Sequence, residues 1–252
     1  MTTETILSVE SLSFAVGDLQ ILNDVHLHVL EGETVGIIGP NGSGKTTLFN
    51  CLSGFNSPQK GSIALKGRDI SPYEPHKRAI AGLGRVFQNF GIFREMTVGE
   101  NIILALESRQ PIRSTFFPWS KQNRKNVATA REYLKQVGLE DKFGDKAGSL
   151  SGGQMRLLEI IRTLAFGAEL FLLDEPTAGV APKLKNNVAS LIVKLQELGK
   201  TVLIIEHDLN FIQKFCTRII VLDQGRVVLD DAPEKVRESR LLQEIYFGNA
   251  SE

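Results

Sequence analysis

TVGIIGPNGSGKTTLFNCLS, residues 34–53, is the stretch from which the fold is read. Its first five residues, 34–38, are mostly apolar and have the length of a short buried strand, while Thr46 to Ser53 reads as a helix. Between them, GPNGSGKT at 39–46 has the spacing GxxxxGK[ST]. Gly39, Gly42 and Gly44 let the loop bend tightly where a Cβ would crowd phosphate oxygens. The backbone N–H groups then converge on a nucleotide's phosphates, and the helix that follows adds its positive end. Lys45 supplies a point charge to the β- and γ-phosphates, and the Thr46 hydroxyl is an expected Mg²⁺ ligand. Pro40, Asn41, Ser43 and Thr47 complete the expected nucleotide-binding set.

Two further motifs lie downstream. LFLLDE, 170–175, reads as a buried parallel strand that delivers Asp174 and Glu175 at its C-terminal end, where open α/β sheets keep their ligands. Asp174 is expected to hold Mg²⁺ through water, and Glu175 to polarise the water that attacks the γ-phosphate. About 20 residues earlier, LSGGQ (Leu150, Ser151, Gly152, Gly153, Gln154) precedes a strongly helical run. Serine is a good N-cap, and the glycines leave backbone N–H groups open to an anion. One chain does not need two γ-phosphate sites for one ATP. The economical reading gives the second to the nucleotide of a partner subunit, so that ATP binds two subunits together.

Composition narrows the class. With 252 residues, 42% of them hydrophobic, the chain has the size of one nucleotide-binding unit with a real core. Twenty-nine basic and twenty-nine acidic residues cancel, which argues against a general nucleic-acid binder. No apolar run approaches the ~18–20 residues of a membrane span, and residues 1–10 lack the form of a signal peptide. The expected location is therefore cytosolic, with any membrane reached through partners. Cys51 and Cys216 sit in apolar contexts without metal-ligand spacing and read as reduced core residues.

Alternating strands and helices imply an α/β fold with a mostly parallel sheet. That it is a P-loop NTPase with a RecA-like sheet, an antiparallel β subdomain and an inserted helical subdomain is implied by the resemblance of these motifs to ABC transporter ATP-binding subunits. Residues 5–31 read as short strands around the Gly17–Asp18 turn, with a further strand at 62–66. Strands are expected at 170–174, 201–206, 218–222 and 226–229, and helices at 183–198, 208–216 and 233–246. Residues 1–88 and 161–232 would form the nucleotide-binding core with its antiparallel part, 89–160 the helical insert, and 233–252 a terminal helix that leaves no room for an appended regulatory domain.

The ordered motifs resemble those of the ATP-binding subunits of ABC transporters over nearly the whole chain. That resemblance implies that Gln88, in RVFQ, touches Mg²⁺ and relays to membrane subunits, and that His207, in LIIEHD, contacts the γ-phosphate. The stretch RVFQNFGIFREMTVGENIILAL, the IIEHD loop and the ending EIYFGN are similar to ATPase subunits of branched-chain amino-acid uptake systems. Urea and amide importers share the pattern. The resemblance implies two membrane permeases, a solute-binding protein, pairing with itself or a sister ATPase, and a place on the cytoplasmic face of the inner membrane. Lipopolysaccharide-export ATPases have a similar layout. Soluble ABC ATPases that clamp nucleic acid use the same motifs, but carry long coiled coils or a second cassette.

Two departures stand out. Many relatives place an adenine-stacking aromatic where this chain has Val16, with Phe14 two residues earlier as a substitute on the same side of the strand. At Ala181 many relatives carry an aspartate that links the two sites of the dimer. Phe87, Phe90 and Phe93 either line a groove for a permease helix or fill core. The segment 110–125, which holds Trp119, is either a lid over the permease or a mobile loop.

Overall fold

The computed structural model describes residues 4–87, 91–108, 121–180 and 182–247. Gln88, Phe90, Ala181 and most of the 110–125 segment, Trp119 included, lie outside the described residues. The chain forms two compact units. One comprises residues 1–85, 170–175 and 192–252, and the other residues 86–169 and 176–191.

In the first unit, β1 (Thr5–Val16) and β2 (Leu19–Leu30) pair antiparallel across the Gly17–Asp18 turn. They are two 12-residue strands, not the short strands the sequence suggested. The sequence alternates imperfectly there because β1 is bulged at several points, and each irregularity breaks the period of two. The first strand of the second sheet is β3 (Thr34–Ile38). β4 (Lys60–Leu65) and β5 (Arg68–Asp69) complete an antiparallel sheet of order β2-β1-β4-β5.

The second sheet adds β6 (Leu83–Val86), β7 (Leu170–Asp174), β8 (Thr201–Ile205), β9 (Arg218–Asp223) and β10 (Arg226–Asp231), in the order β10-β9-β3-β8-β7-β6. β3 runs parallel to β8 and β9, β7 runs parallel to β8, and β10 is antiparallel at the edge. Every residue of β3, β7 and β8 is buried, as their mostly apolar sequences require. β6 was not anticipated. Four residues, LGRV, with an arginine among them, carry too little pattern to be read as a strand.

Helix α1 (Lys45–Ser53) follows the loop after β3 and sinks Leu48, Phe49 and Leu52 into a cluster shared with Leu12, Ile37 and Leu172 of the two sheets. The short α2 (Pro75–Ile80), with Pro75 in its first turn, was also not foreseen. Burial pushes the thiols of Cys51 and Cys216 up to about 12, so both stay neutral, as their apolar contexts suggested.

The second unit carries α3 (Val98–Glu107), α4 (Lys121–Lys135) and α5 (Gly152–Ala165). α3 opens with a reciprocal cap, Glu100 N–H to Thr97 Oγ1 at 3.1 Å and Thr97 N–H to Glu100 Oε2 at 2.7 Å. Along the chain α6 (Pro182–Glu197) passes from the residues of this unit into those of the first, where α7 (Leu209–Phe215) follows β8. The single helix expected at 233–246 is two, α8 (Pro233–Glu238) and α9 (Arg240–Phe247), because Ser239 is extended (φ −68°, ψ 125°). No helix among the described residues is long and apolar enough to cross a membrane.

Candidate nucleotide site

The chain leaves the parallel sheet at Gly39. An added Cβ there would lie 2.0 Å from the Leu222 carbonyl oxygen, so only glycine lets the loop pass β9. Ser43 N–H bonds back to the Pro40 carbonyl at 3.2 Å, and the Ser43 carbonyl accepts from Gly225 N–H at 3.0 Å. Gly44, left-handed at φ 105°, is the N-cap of α1, and among the described residues no side chain caps that helix. Its first-turn N–H groups are thereby left for a ligand. Lys45 folds back over the loop, donating to the Gly39 carbonyl at 2.8 Å and the Pro40 carbonyl at 2.9 Å. Burial pulls its ammonium below the usual lysine range, and the charges of Glu175 and Asp174 oppose that shift.

A cleft of ≈ 400 Å³ opens on this loop. Its lining brings together Asn41, Gly42, Gly44, Lys45, Thr46 and Thr47 with Glu175, His207, Leu19 and Ile21. Glu175 sits just past β7 in a left-handed conformation, φ 47°, which costs a non-glycine residue about 1–2 kcal/mol. Its N–H is fixed to the Ile205 carbonyl at 2.9 Å, and its Oε1 lies 3.0 Å from His207 Nε2. From this position its side chain lines the cleft.

Asp174 is placed differently from its neighbour. It does not line the cleft. Its Oδ2 is 3.0 Å from Arg85 Nη2, with the two side chains 6% and 5% exposed, arginine first. The same guanidinium donates to Asn50 Oδ1 at 2.6 Å and Ser53 Oγ at 2.8 Å, at the far end of α1. Sequence reading missed Arg85. The available signal was a basic residue inside an apolar stretch, since a charge buried in a strand needs a partner. Leu19 and Ile21 were missed as well, because aliphatic residues on a strand carry no chemical signature.

Phe14 and Val16 do not share a role. Register shifts flank Phe14, which packs against the core, whereas Val16 is 60% exposed beside the hairpin turn. Neither lines the cleft.

In the second unit, Ser151 caps α5. Its Oγ accepts from Gln154 N–H at 3.4 Å, and its own N–H donates to Gln154 Oε1 at 3.0 Å. Gly152 and Gly153 occupy the first helical positions, whose N–H groups have no partner within a helix. Leu150 is buried just before the cap. Further along α5, two buried charges interrupt the apolar face. Glu159 pairs with Arg156 at 2.9 Å, and its Oε1 accepts from the N–H groups of Phe87 (3.3 Å) and Gly91 (3.0 Å). Burial raises the Glu159 carboxyl, and Arg156 and these amides oppose the rise. Arg156 also donates to the Phe87 carbonyl. Phe87 is partly buried, while Phe93 is half exposed beneath the Arg162 guanidinium, 5.3 Å from the ring centre.

Residues 22–178 match the family model described as ABC transporter. The chain belongs to that family, as an ATP-hydrolysing cassette. It is 38% identical to the high-affinity branched-chain amino acid transport ATP-binding protein BraF of Pseudomonas aeruginosa, over 97% of this chain and 98% of that protein. The crystal structure of the ADP conformation of an ATP-binding cassette of an ABC transporter superposes with a TM-score of 0.85 at 34% identity, covering 98% of this chain and 100% of that one. A dimeric post-hydrolysis cassette bound to ADP and phosphate matches with a TM-score of 0.76 at 30% identity, covering 90% and 98%.

Proposed function

We propose that this chain hydrolyses ATP to drive uptake of branched-chain or other neutral amino acids through partner membrane subunits. The observation that carries the enzymatic part is the convergence of Lys45, Thr46, Glu175 and His207 on one cleft, with the carboxylate 3.0 Å from the imidazole. The similarity to an amino-acid transport ATP-binding protein over nearly full length supports the choice of solute class.

In this reading the loop residues Gly39 to Thr47 hold the phosphates, with Lys45 leaving the Gly39 and Pro40 carbonyls to reach them. Leu19 and Ile21 offer an aliphatic platform for the base, in place of the aromatic stacking expected of Phe14. Glu175 takes the proton of the attacking water, and His207 fixes the carboxylate's orientation. The donor set fits Mg²⁺. Thr46 lines the cleft, and Asp174, bonded to Arg85 outside that lining, would act through water, leaving the ion's other ligands to phosphate oxygens and water. Bound with the nucleotide, Mg²⁺ would neutralise phosphate charge, with Thr46 and Gln88 as its protein-side contacts and Asp174 reaching it through water.

Leu150 to Gln154 would close on the nucleotide of a second cassette, either another copy or a sister ATPase. The resemblance to a dimeric cassette supports that pairing. The assembly would place this subunit peripherally on the cytoplasmic face of the membrane, with two permeases and a solute-binding protein and no nucleic acid. Identifying the proteins that co-purify with the chain from gently solubilised membranes tests this. Two permeases and a sister ATPase are expected. A lipid-export permease pair, or no membrane protein at all, would overturn the import reading.

A further inference from the structure

Gly39 is held by more than the loop it begins. Ile38, opposite Val221, is the last residue of β3 in register with β9, so the Gly39 N–H lies past the end of that ladder and needs a partner elsewhere. It donates to the hydroxyl of Tyr246 at 3.0 Å, across 207 residues of sequence. Tyr246 belongs to α9, one turn after Leu242, and the two share a helix face. Leu242 is buried, which anchors that face, and an Arg240–Glu244 pair at 3.0 Å spans the helix's exposed side. The carbonyl of the same glycine is held by Lys45. Both polar groups of the residue that opens the phosphate loop are therefore fixed, one by the lysine and one by a helix remote in sequence.

The two holds differ in what a ligand does to them. Phosphates in the cleft would draw Lys45 off the Gly39 carbonyl, whereas Tyr246, outside the cleft lining, would keep its bond. We infer that Tyr246 is a positioning residue for nucleotide binding, keeping the start of the phosphate loop in place once Lys45 has turned to the ligand. This rests on the reading that the cleft takes nucleotide phosphates. Burial raises the Tyr246 phenol, opposed by the Gly39 N–H, so the hydroxyl is neutral at ordinary pH and the hold does not switch with it.

The test uses the full chain with fluorescent ADP for affinity and steady-state ATP hydrolysis for kinetics. Tyr246→Phe keeps the ring and its packing but removes the acceptor. Loss of one net hydrogen bond that matters more in the bound state should raise Kd and KM about three- to tenfold, with kcat within about twofold. Tyr246→Ala should move the same two parameters further. A purely structural role would lower thermal stability and the active fraction while leaving KM intact. Kd and KM within about twofold of the unaltered chain in both variants, or a fall in kcat at constant KM, would overturn the inference. If the unaltered chain binds no nucleotide, the phosphate reading fails and this inference with it. Tight binding by the unaltered chain beside unchanged variants removes the Tyr246 role alone.

Discussion

Two helices in this molecule start from glycine-rich loops, and they start in opposite ways. α1 begins at left-handed Gly44 without a side-chain cap among the described residues, and a lysine from its own first turn folds over the loop. α5 begins at Ser151 with a complete reciprocal cap from Gln154. A helix start is an anion site only to the extent that its own side chains leave it open. The first is open, lies on a cleft and has a cation beside it. The second is closed in part by its own cap, with Ser151 and Gly152 exposed. In the proposed reading the two starts divide the labour: α1 would hold the nucleotide of its own chain, and α5 would reach the nucleotide of a second cassette.

The strongest way to challenge that division is to stop the chemistry without touching either helix. Glu175→Gln should slow hydrolysis about 10²–10⁴-fold, as loss of a general base does. ATP would then persist and hold two cassettes together, visible as a dimer by size-exclusion chromatography with light scattering. A monomer unchanged by ATP would break the comparison. Next in size, Lys45→Ala should weaken nucleotide binding by a single chain about 10–100-fold, the value of charge-assisted hydrogen bonds lost at α1, measured by titration calorimetry. The smallest effect is expected at the other helix. Ser151→Ala should cost about 0.5–2 kcal/mol of stability in denaturant unfolding, through the lost cap. It should leave single-chain nucleotide affinity unchanged while weakening the ATP-dependent dimer of the Glu175→Gln background. Equal losses of single-chain affinity at Lys45 and Ser151 would show that the two starts serve one ligand.

Residues that announce themselves through local spacing were legible. The strand, glycine loop and helix at 34–53 came out within a residue of their expected bounds, and 170–174 matched β7. In both, a buried parallel strand is a short, mostly apolar run, left through glycines at 39–44 in one and through acids at 174–175 in the other, and composition alone displays it. β6 and α2 were not legible, because four to six positions establish no period and neither LGRV nor PHKRAI is an apolar run that marks a buried strand. Nor was the break at Ser239, where neither glycine nor proline marks the end of the first helix.

Sequence alone determined that this protein has a glycine loop between a strand and a helix, a strand with an acidic end and a second glycine-led helix, because each depends on neighbours a few residues apart. It could not reveal that Asp174 is paired with Arg85, 89 residues away, or that Glu175 is turned by a left-handed backbone toward His207. It could not place Leu19 and Ile21 on the cleft or bring Tyr246 to Gly39. Those contacts exist only once strands 19–30, 83–86 and 170–174 and helix 240–247 are packed, since a hydrogen bond is decided by a distance of about 3 Å and not by spacing along the chain.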